Sequence, residues 1–414
     1  MNWINFNYKK LFTNSLLVAL GIVVPLLFLE FILSFTSLKG IVSENVYPRY
    51  YFVKDREIGL DIAPDFSTTS LSFYEHPYDV WSNSLGCFDY VYSSTTPYIY
   101  LTGDSFTWGF APFADKWGTI LESRVGTRVL KCGVGGFGTK QELIKTSRDM
   151  ARLAAPKLII VGYFGFNDPL DDANFPRNTV YDGYRVGNFA FGSTTEAQAE
   201  SNYKNLEEYC VANVPTHPVL QRVKCVLFTH SIIYNLLRNN LKTFFTGILA
   251  PGTLESTGFV VDSAESVPDP LAAQHAKEDY ARHLQNVDAF KTLAAKENAK
   301  LLFVLIPDKD IARSTSTDPV AFANYRLTPF LDAEKIMYLD LAPAFRTYEH
   351  LPAQPLYWPT DGHWNQKGNH LAGLVLSRYL LENGLVDVVN RTAKIADLNA
   401  EILREFGAPA GENQ

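Results

Sequence analysis

Cysteine is scarce in this sequence: four residues in 414, Cys87, Cys132, Cys210 and Cys225, with no C-x-x-C pair among them. That excludes a zinc knuckle and a thioredoxin-like redox pair, and most of the four read as buried apolar residues. Cys210 and Cys225 are weighed as one disulfide if that stretch lies outside the cytoplasm, against free thiols. Positive charge is also in short supply: 37 Lys and Arg against 44 Asp and Glu leave a net charge of -7. Without a basic field to meet a phosphate backbone, no nucleic-acid partner is expected.

Nucleotide-binding signals are missing as well. There is no G-x-x-x-x-G-K-[ST] loop. Gly133 to Gly138 does fit G-x-G-x-x-G, but Lys157 to Tyr163, the next strand-like run, has no acidic residue to hold a ribose. No cofactor and no metal is therefore expected. Repeats and low-complexity tracts are absent too.

What the sequence has in quantity is apolar and aromatic residues, at 47% and 14%, enough for a full core and for apolar or sugar-binding surfaces. Ser15 to Leu38 is almost wholly apolar and long enough to cross a hydrocarbon core of roughly 30 Å. Glu30 interrupts it. One carboxylate costs on the order of 3 kcal/mol on insertion scales, while about fifteen Leu, Ile, Val and Phe residues return roughly 0.3 to 0.6 each, so insertion wins. Lys9 and Lys10 precede the run, which keeps the amino terminus in the cytoplasm and puts everything after Lys39 outside, in the periplasm or at the cell surface. No A-x-A-like site follows, which favours an uncleaved single-pass anchor over a cleaved signal peptide.

Beyond about residue 96, short β-rich runs alternate with helical patterns, the mark of a parallel sheet. Strands are expected at Tyr98–Leu101, Arg128–Leu130, Leu158–Val161, Leu301–Ile306 and Ile336–Leu339, and helices at Gln141–Leu153, His275–Lys296, Pro319–Leu331 and Lys367–Leu381. The plan is α/β, flavodoxin-like and doubly wound, with ligands outside the carboxyl ends of the strands. The expected organisation is a stub and transmembrane helix (1–40), an extension wrapping the core (41–95), the main domain (96–390) with an insertion at about 172–272, and a tail (391–414). Within the insertion, Phe228, Ile232, Leu236, Leu237, Leu241 and Phe244 recur at helical spacing with Arg222, Lys224, Arg238 and Lys242 interspersed. This is either a helix packed on the domain or a basic amphipathic helix on the membrane or over the site.

Four loops carry the chemistry. Tyr98–Leu101 runs into Thr102-Gly103-Asp104-Ser105, which sets a hydroxyl at a strand's carboxyl end. A serine needs a base and oxyanion donors to act as a nucleophile. The base is His363 in Asp361-Gly362-His363, with Asp361 to fix its tautomer. Gly133 to Gly138 offers backbone N–H groups, and Gly165-Phe166-Asn167-Asp168 offers an amide side chain. Trp108, Phe110, Phe113 and Trp364 flank these loops as a sugar platform or as core.

These four blocks, in this order, resemble the SGNH/GDSL hydrolases, esterases and lipases named for a serine, a glycine, an asparagine and a histidine. The resemblance implies a three-layer α/β/α sandwich, with Ser105 as nucleophile, His363 and Asp361 completing a triad, and Ser105, Gly136 and Asn167 forming the oxyanion hole. Two positions depart from the common pattern. Asp361 and His363 are separated by one residue instead of two, as in membrane-anchored relatives and alginate-acetylation proteins, and Lys131 stands where an asparagine is usual. The implied function is an extracytoplasmic serine esterase acting on O-acyl or O-acetyl esters, with acylated cell-envelope carbohydrate as substrate. The alternatives are an O-acetyltransferase working with a membrane acyltransferase partner on exported polysaccharide, and a catalytically silent binding or assembly module.

Overall fold

The computed structural model describes residues 8–36, 51–71, 78–92, 97–177, 179–181, 184–186, 223, 227, 231–234, 236–237, 270–314, 326–349, 355–358 and 362–407. Two compact units divide the chain: residues 1–47, 72–77 and 210–266 form one, and 48–71, 78–209 and 267–414 the other.

In the first unit, α1 (Tyr8–Leu33) contains an apolar stretch, Thr13–Leu33, of mean hydropathy 2.8 with none of it buried. It is long and apolar enough to cross a membrane.

The second unit is built on five parallel strands: β5 (Tyr98–Gly103), β6 (Arg128–Lys131), β7 (Leu158–Tyr163), β10 (Lys300–Leu305) and β11 (Met337–Asp340). Their spatial order is β11-β10-β7-β5-β6. Numbered along the chain as five strands, that is 2-1-3-4-5 read from the other edge, the flavodoxin-like doubly wound order. The central strands β5 and β7 are buried at every position, as expected where helices cover both faces. Strict alternation assigns the faces. Ile99, Leu101, Leu158, Ile160, Leu302 and Val304 enter one core with α3 (Trp117–Val125). Ile159, Val161, Tyr163, Leu301, Phe303 and Leu305 enter the opposite core, and Tyr98 and Tyr100 lie on that side in a smaller cluster.

Between the strands lie α4 (Thr139–Met150), α5 (Asp168–Asn174), α6 (Pro270–Lys296), α7 (Lys309–Arg313) and α8 (Thr328–Ala333), and α9 (Ala342–Glu349) follows β11. After β11 and α9 come α10 (Gln366–Glu382) and α11 (Arg391–Phe406). Helix α4 starts two residues before its expected first position, where the Gln141 side chain reaches back to accept from the Gly138 N–H at 3.2 Å ahead of Thr139. The stretch from 391 is no loose tail. Leu398, Ile402 and Phe406 of α11 are buried in the main core, so this helix belongs to the outer layer.

The segment ahead of β5 also belongs to the core. It forms two small antiparallel pairs, β1 (Phe52–Asp55) with β2 (Gly59–Ile62) and β3 (Thr69–Leu71) with β4 (Tyr78–Val80). Its Leu85 and Cys87 then pack with Tyr98, Tyr100, Leu130 and Cys132. Here the cysteine reading needs correction. Cys87 and Cys132 are joined by a disulfide, which ties this segment to the residue after β6. Cys210 and Cys225, weighed as the pair, lie outside the described residues, as do Phe228, Leu241 and Phe244. The hairpin β8 (Thr179–Tyr181) with β9 (Tyr184–Val186) opens the inserted stretch.

Candidate active site

Three neighbouring strands, β6, β5 and β7, deliver their following loops to one edge of the sheet. β5 and β7 both end in glycine, and Gly103 pairs with Gly162 across the ladder. A Cβ on Gly103 would come within 2.7 Å of the Thr107 Cβ, and one on Gly162 within 2.1 Å of the Thr107 Oγ1. A Cβ on Gly133, after β6, would meet the backbone of Thr107 and Trp108 as closely. Three glycines therefore surround Thr107 and let the short helix α2 (Ser105–Trp108) settle onto the strand ends. Asp104 caps that helix through its carboxylate, which accepts from the Phe106 N–H at 2.9 Å. Ser105, at the first turn, is left half-buried at the sheet edge.

His363 arrives from the far end of the domain. A bridge between Tyr357 and Trp364, with the Trp358 N–H donating to the His363 carbonyl at 3.0 Å, fixes the backbone on either side of the imidazole. Trp364 anchors it by stacking on Phe345 at 4.8 Å, and Asn365 caps α10 immediately afterwards. The rings of Phe106 and Phe110 pack on the imidazole, with centroids 4.8 and 4.3 Å away. The outcome is a hydrogen bond of 2.7 Å between His363 Nε2 and Ser105 Oγ, across 258 positions of sequence. Asp361 lies outside the described residues.

The glycine loop runs alongside. A Cβ on Gly135 would lie 3.9 Å from the Ser105 Cβ, and Gly136 is exposed with φ 78°, a left-handed conformation suited to glycine. Asn167 precedes α5, and its side-chain oxygen is buried with no hydrogen-bond partner among the described residues. Burial raises the Asp104 carboxyl to about 6, against the opposing pull of His363, the Phe106 N–H and the Asn167 side chain. Behind the loops lies a buried acidic group. Burial together with neighbouring carboxylates pushes Glu142 and Asp168 well up and Asp171 to about 7. Asp172 instead accepts from Asn286 at 2.8 Å and lies 2.8 Å from His283 Nδ1.

Trp108, Phe110 and Trp364 are buried. They are therefore core, which excludes the platform alternative for these three, and Phe110 steadies the imidazole. Lys131, in the position where an asparagine is usual, turns its ammonium away to Glu122 at 2.7 Å and Asp89 at 3.2 Å. Sequence reasoning passed over Asp104 as a charged group beside the base. Its position between Gly103 and Ser105 was the available signal.

No family model matches the chain, and no curated protein matches it. Among solved structures, the chain is similar to a lipolytic protein of the G-D-S-L family from Desulfitobacterium hafniense, at 13% identity and TM-score 0.31, covering 68% of this chain and 97% of that one. It is also similar to an acylhydrolase from Bacteroides fragilis, at 13% identity and TM-score 0.34, covering 71% and 92%. An acetyl xylan esterase from Butyrivibrio proteoclasticus is similar at 12% identity and TM-score 0.32, covering 72% and 68%.

Proposed function

We propose that this protein is a membrane-anchored serine esterase acting outside the cytoplasm, and the observation that carries the reading is the 2.7 Å contact between His363 Nε2 and Ser105 Oγ. A hydroxyl so held loses its proton to the imidazole as it attacks an ester carbonyl. The carbonyl oxygen becomes an oxyanion, met by the N–H groups of Ser105 and Gly136 and by the Asn167 amide. Collapse of this intermediate breaks the bond to the alcohol, which leaves with the proton held on Nε2. Water then attacks the acyl-serine, giving a proton to His363, and as the bond to Oγ breaks that proton returns to Ser105 and the acid is released. The Asp104 carboxyl lies buried close enough to His363 for the ring to pull it down against its burial, and Asp361 is the carboxylate assigned to the tautomer of His363.

Two features support the placement outside the cytoplasm: the apolar helix behind Lys9 and Lys10, and the Cys87–Cys132 disulfide, of a kind that persists in oxidising compartments. An O-acetylated or otherwise O-acylated carbohydrate of the cell envelope is the substrate class that fits such a location. The test uses the full-length chain in detergent. A fluorophosphonate should label Ser105, read by peptide mass spectrometry, and p-nitrophenyl acetate should be hydrolysed by the parent but not by Ser105→Ala. An unlabelled Ser105 in folded protein would overturn the reading. Slow hydrolysis in water, with acyl transfer to an added sugar, would mark a transferase instead.

A further inference from the structure

Glu30 is the charged residue of the apolar span, and the structure shows what it holds. Its carboxylate accepts from the Ser231 Oγ at 2.9 Å, from the Ile233 N–H at 3.2 Å and, in a still shorter contact, from the Ile232 N–H. These residues begin a helical turn. Ser231 Oγ in turn accepts from the Tyr234 N–H at 3.1 Å. The first three N–H groups of the turn thus all find acceptors, two of them on another helix. A helix start normally leaves such donors to water or to its own cap. Here the partner is an anion, which the positive end of a helix favours.

The location of Glu30 gives this contact its meaning. It lies three residues before Leu33, where the apolar span ends, so about 4.5 Å from that end along the helix axis. A carboxylate at that depth must reach the interface or bring its own donors. Ser231 to Ile233 supply them, and Ile232 is buried against this unit. In the same segment, Val223, Leu227 and Leu237 expose apolar side chains, at 49, 38 and 56%. The sequence sets Arg222, Lys224, Arg238 and Lys242 among them, the mixture that suits an interfacial segment above anionic headgroups.

We infer that the inserted segment around 223–237 returns to the membrane and rests on the outer leaflet, seated by Glu30, with Val223, Leu227 and Leu237 against lipid. This rests on the anchored reading of α1 given above. The carboxylate that interrupts the span is then the latch for a second membrane-contacting element.

The experiment reconstitutes the full-length protein in phosphatidylcholine–phosphatidylglycerol vesicles with an aryl diazirine dissolved in the lipid phase, photolyses, and maps labelled peptides by mass spectrometry. Labelling of both α1 and 223–237 is expected. Glu30→Ala should leave α1 labelled and lower labelling of 223–237 about tenfold, as befits the loss of charge-assisted hydrogen bonds, and Glu30→Gln should fall between. An intact Cys87–Cys132 bond and unchanged far-ultraviolet circular dichroism report that the variants remain folded. If α1 is labelled and 223–237 is not, the inference fails while the anchor stands. If α1 itself is unlabelled, the anchored reading fails and takes this inference with it. Equal labelling of 223–237 in the parent and Glu30→Ala would overturn the role of Glu30.

Discussion

Cys87 is bonded to Cys132, the residue immediately before the glycine loop that passes Ser105. The bond closes a loop across 45 positions of sequence, which on a chain-entropy estimate contributes about 4 kcal/mol. The Cys87→Ser/Cys132→Ser double variant should lose stability on that order in urea unfolding. It should also lose activity in a parent-stable range of urea, because the strand end that carries the glycine loop is released first. Equal unfolding midpoints with and without the bond would show that the surrounding core alone fixes the loop.

Asn167 is the side chain proposed to meet the oxyanion. Its side-chain oxygen makes no hydrogen bond among the described residues and does not cap α5, but its side chain bonds the buried Asp104 carboxylate, so thermal melts of the variant accompany the kinetics. Asn167→Ala is expected to lower kcat by about 100- to 1000-fold, with KM nearly unchanged, as for removal of one oxyanion donor. Ester hydrolysis under saturating conditions measures it. An unchanged kcat would remove Asn167 from the proposed mechanism.

Thr107 and Gly162 form a steric pair. A methyl at 162 would meet the Thr107 Oγ1 at 2.1 Å, and that hydroxyl has no hydrogen-bond partner among the described residues. Gly162→Ala should destabilise by about 1–3 kcal/mol and displace the turn that carries Ser105. Adding Thr107→Ala should restore much of the stability, giving a coupling visible in a double-mutant cycle of thermal melts. Additive losses would place the conflict elsewhere.

Asp171 gives the pH dependence of stability a sign. Burial, with Asp104 and Asp172 nearby, raises its carboxyl from 3.8 to about 7. The folded protein therefore holds a proton that the unfolded chain has already released. The associated stability is present below about 3.8 and is lost as pH rises through about 7. Asp171→Asn should raise stability at pH 8 by on the order of 2 kcal/mol and change it little at pH 4. Urea midpoints at the two pH values decide the matter, and a variant destabilised at pH 8 would contradict the sign.

The sheet was legible because its inner strands are unbroken apolar runs, and Tyr98–Leu101, Leu158–Val161 and Leu301–Ile306 all lie within a residue or two of β5, β7 and β10. The loops at their ends were legible for a related reason: Gly103, Gly133 and Gly162 are required by close packing around Thr107. The Cys87–Cys132 bond could not be read in this way. The two residues meet only once the segment ahead of β5 folds beside β6, where Asp89 accepts from the Lys131 N–H. The buried state of Trp108 and Trp364 was equally hidden, since neighbours along the chain do not reveal which side a ring faces. Helix α11 was readable in principle, with Leu398, Ile402 and Phe406 at four-residue spacing, but three apolar positions among charged and polar ones make a faint stripe.

That stripe has a consequence for biogenesis. Phe406 completes a core begun more than three hundred residues earlier by Ile99, and α10 and α11 cover the face that α3 shares. A nascent chain thus carries an unfinished apolar surface until α11 has been made. Nonsense or frameshift lesions even in the last few codons of α11 should yield polypeptide prone to aggregation and proteolysis, although every residue assigned to chemistry would have been translated.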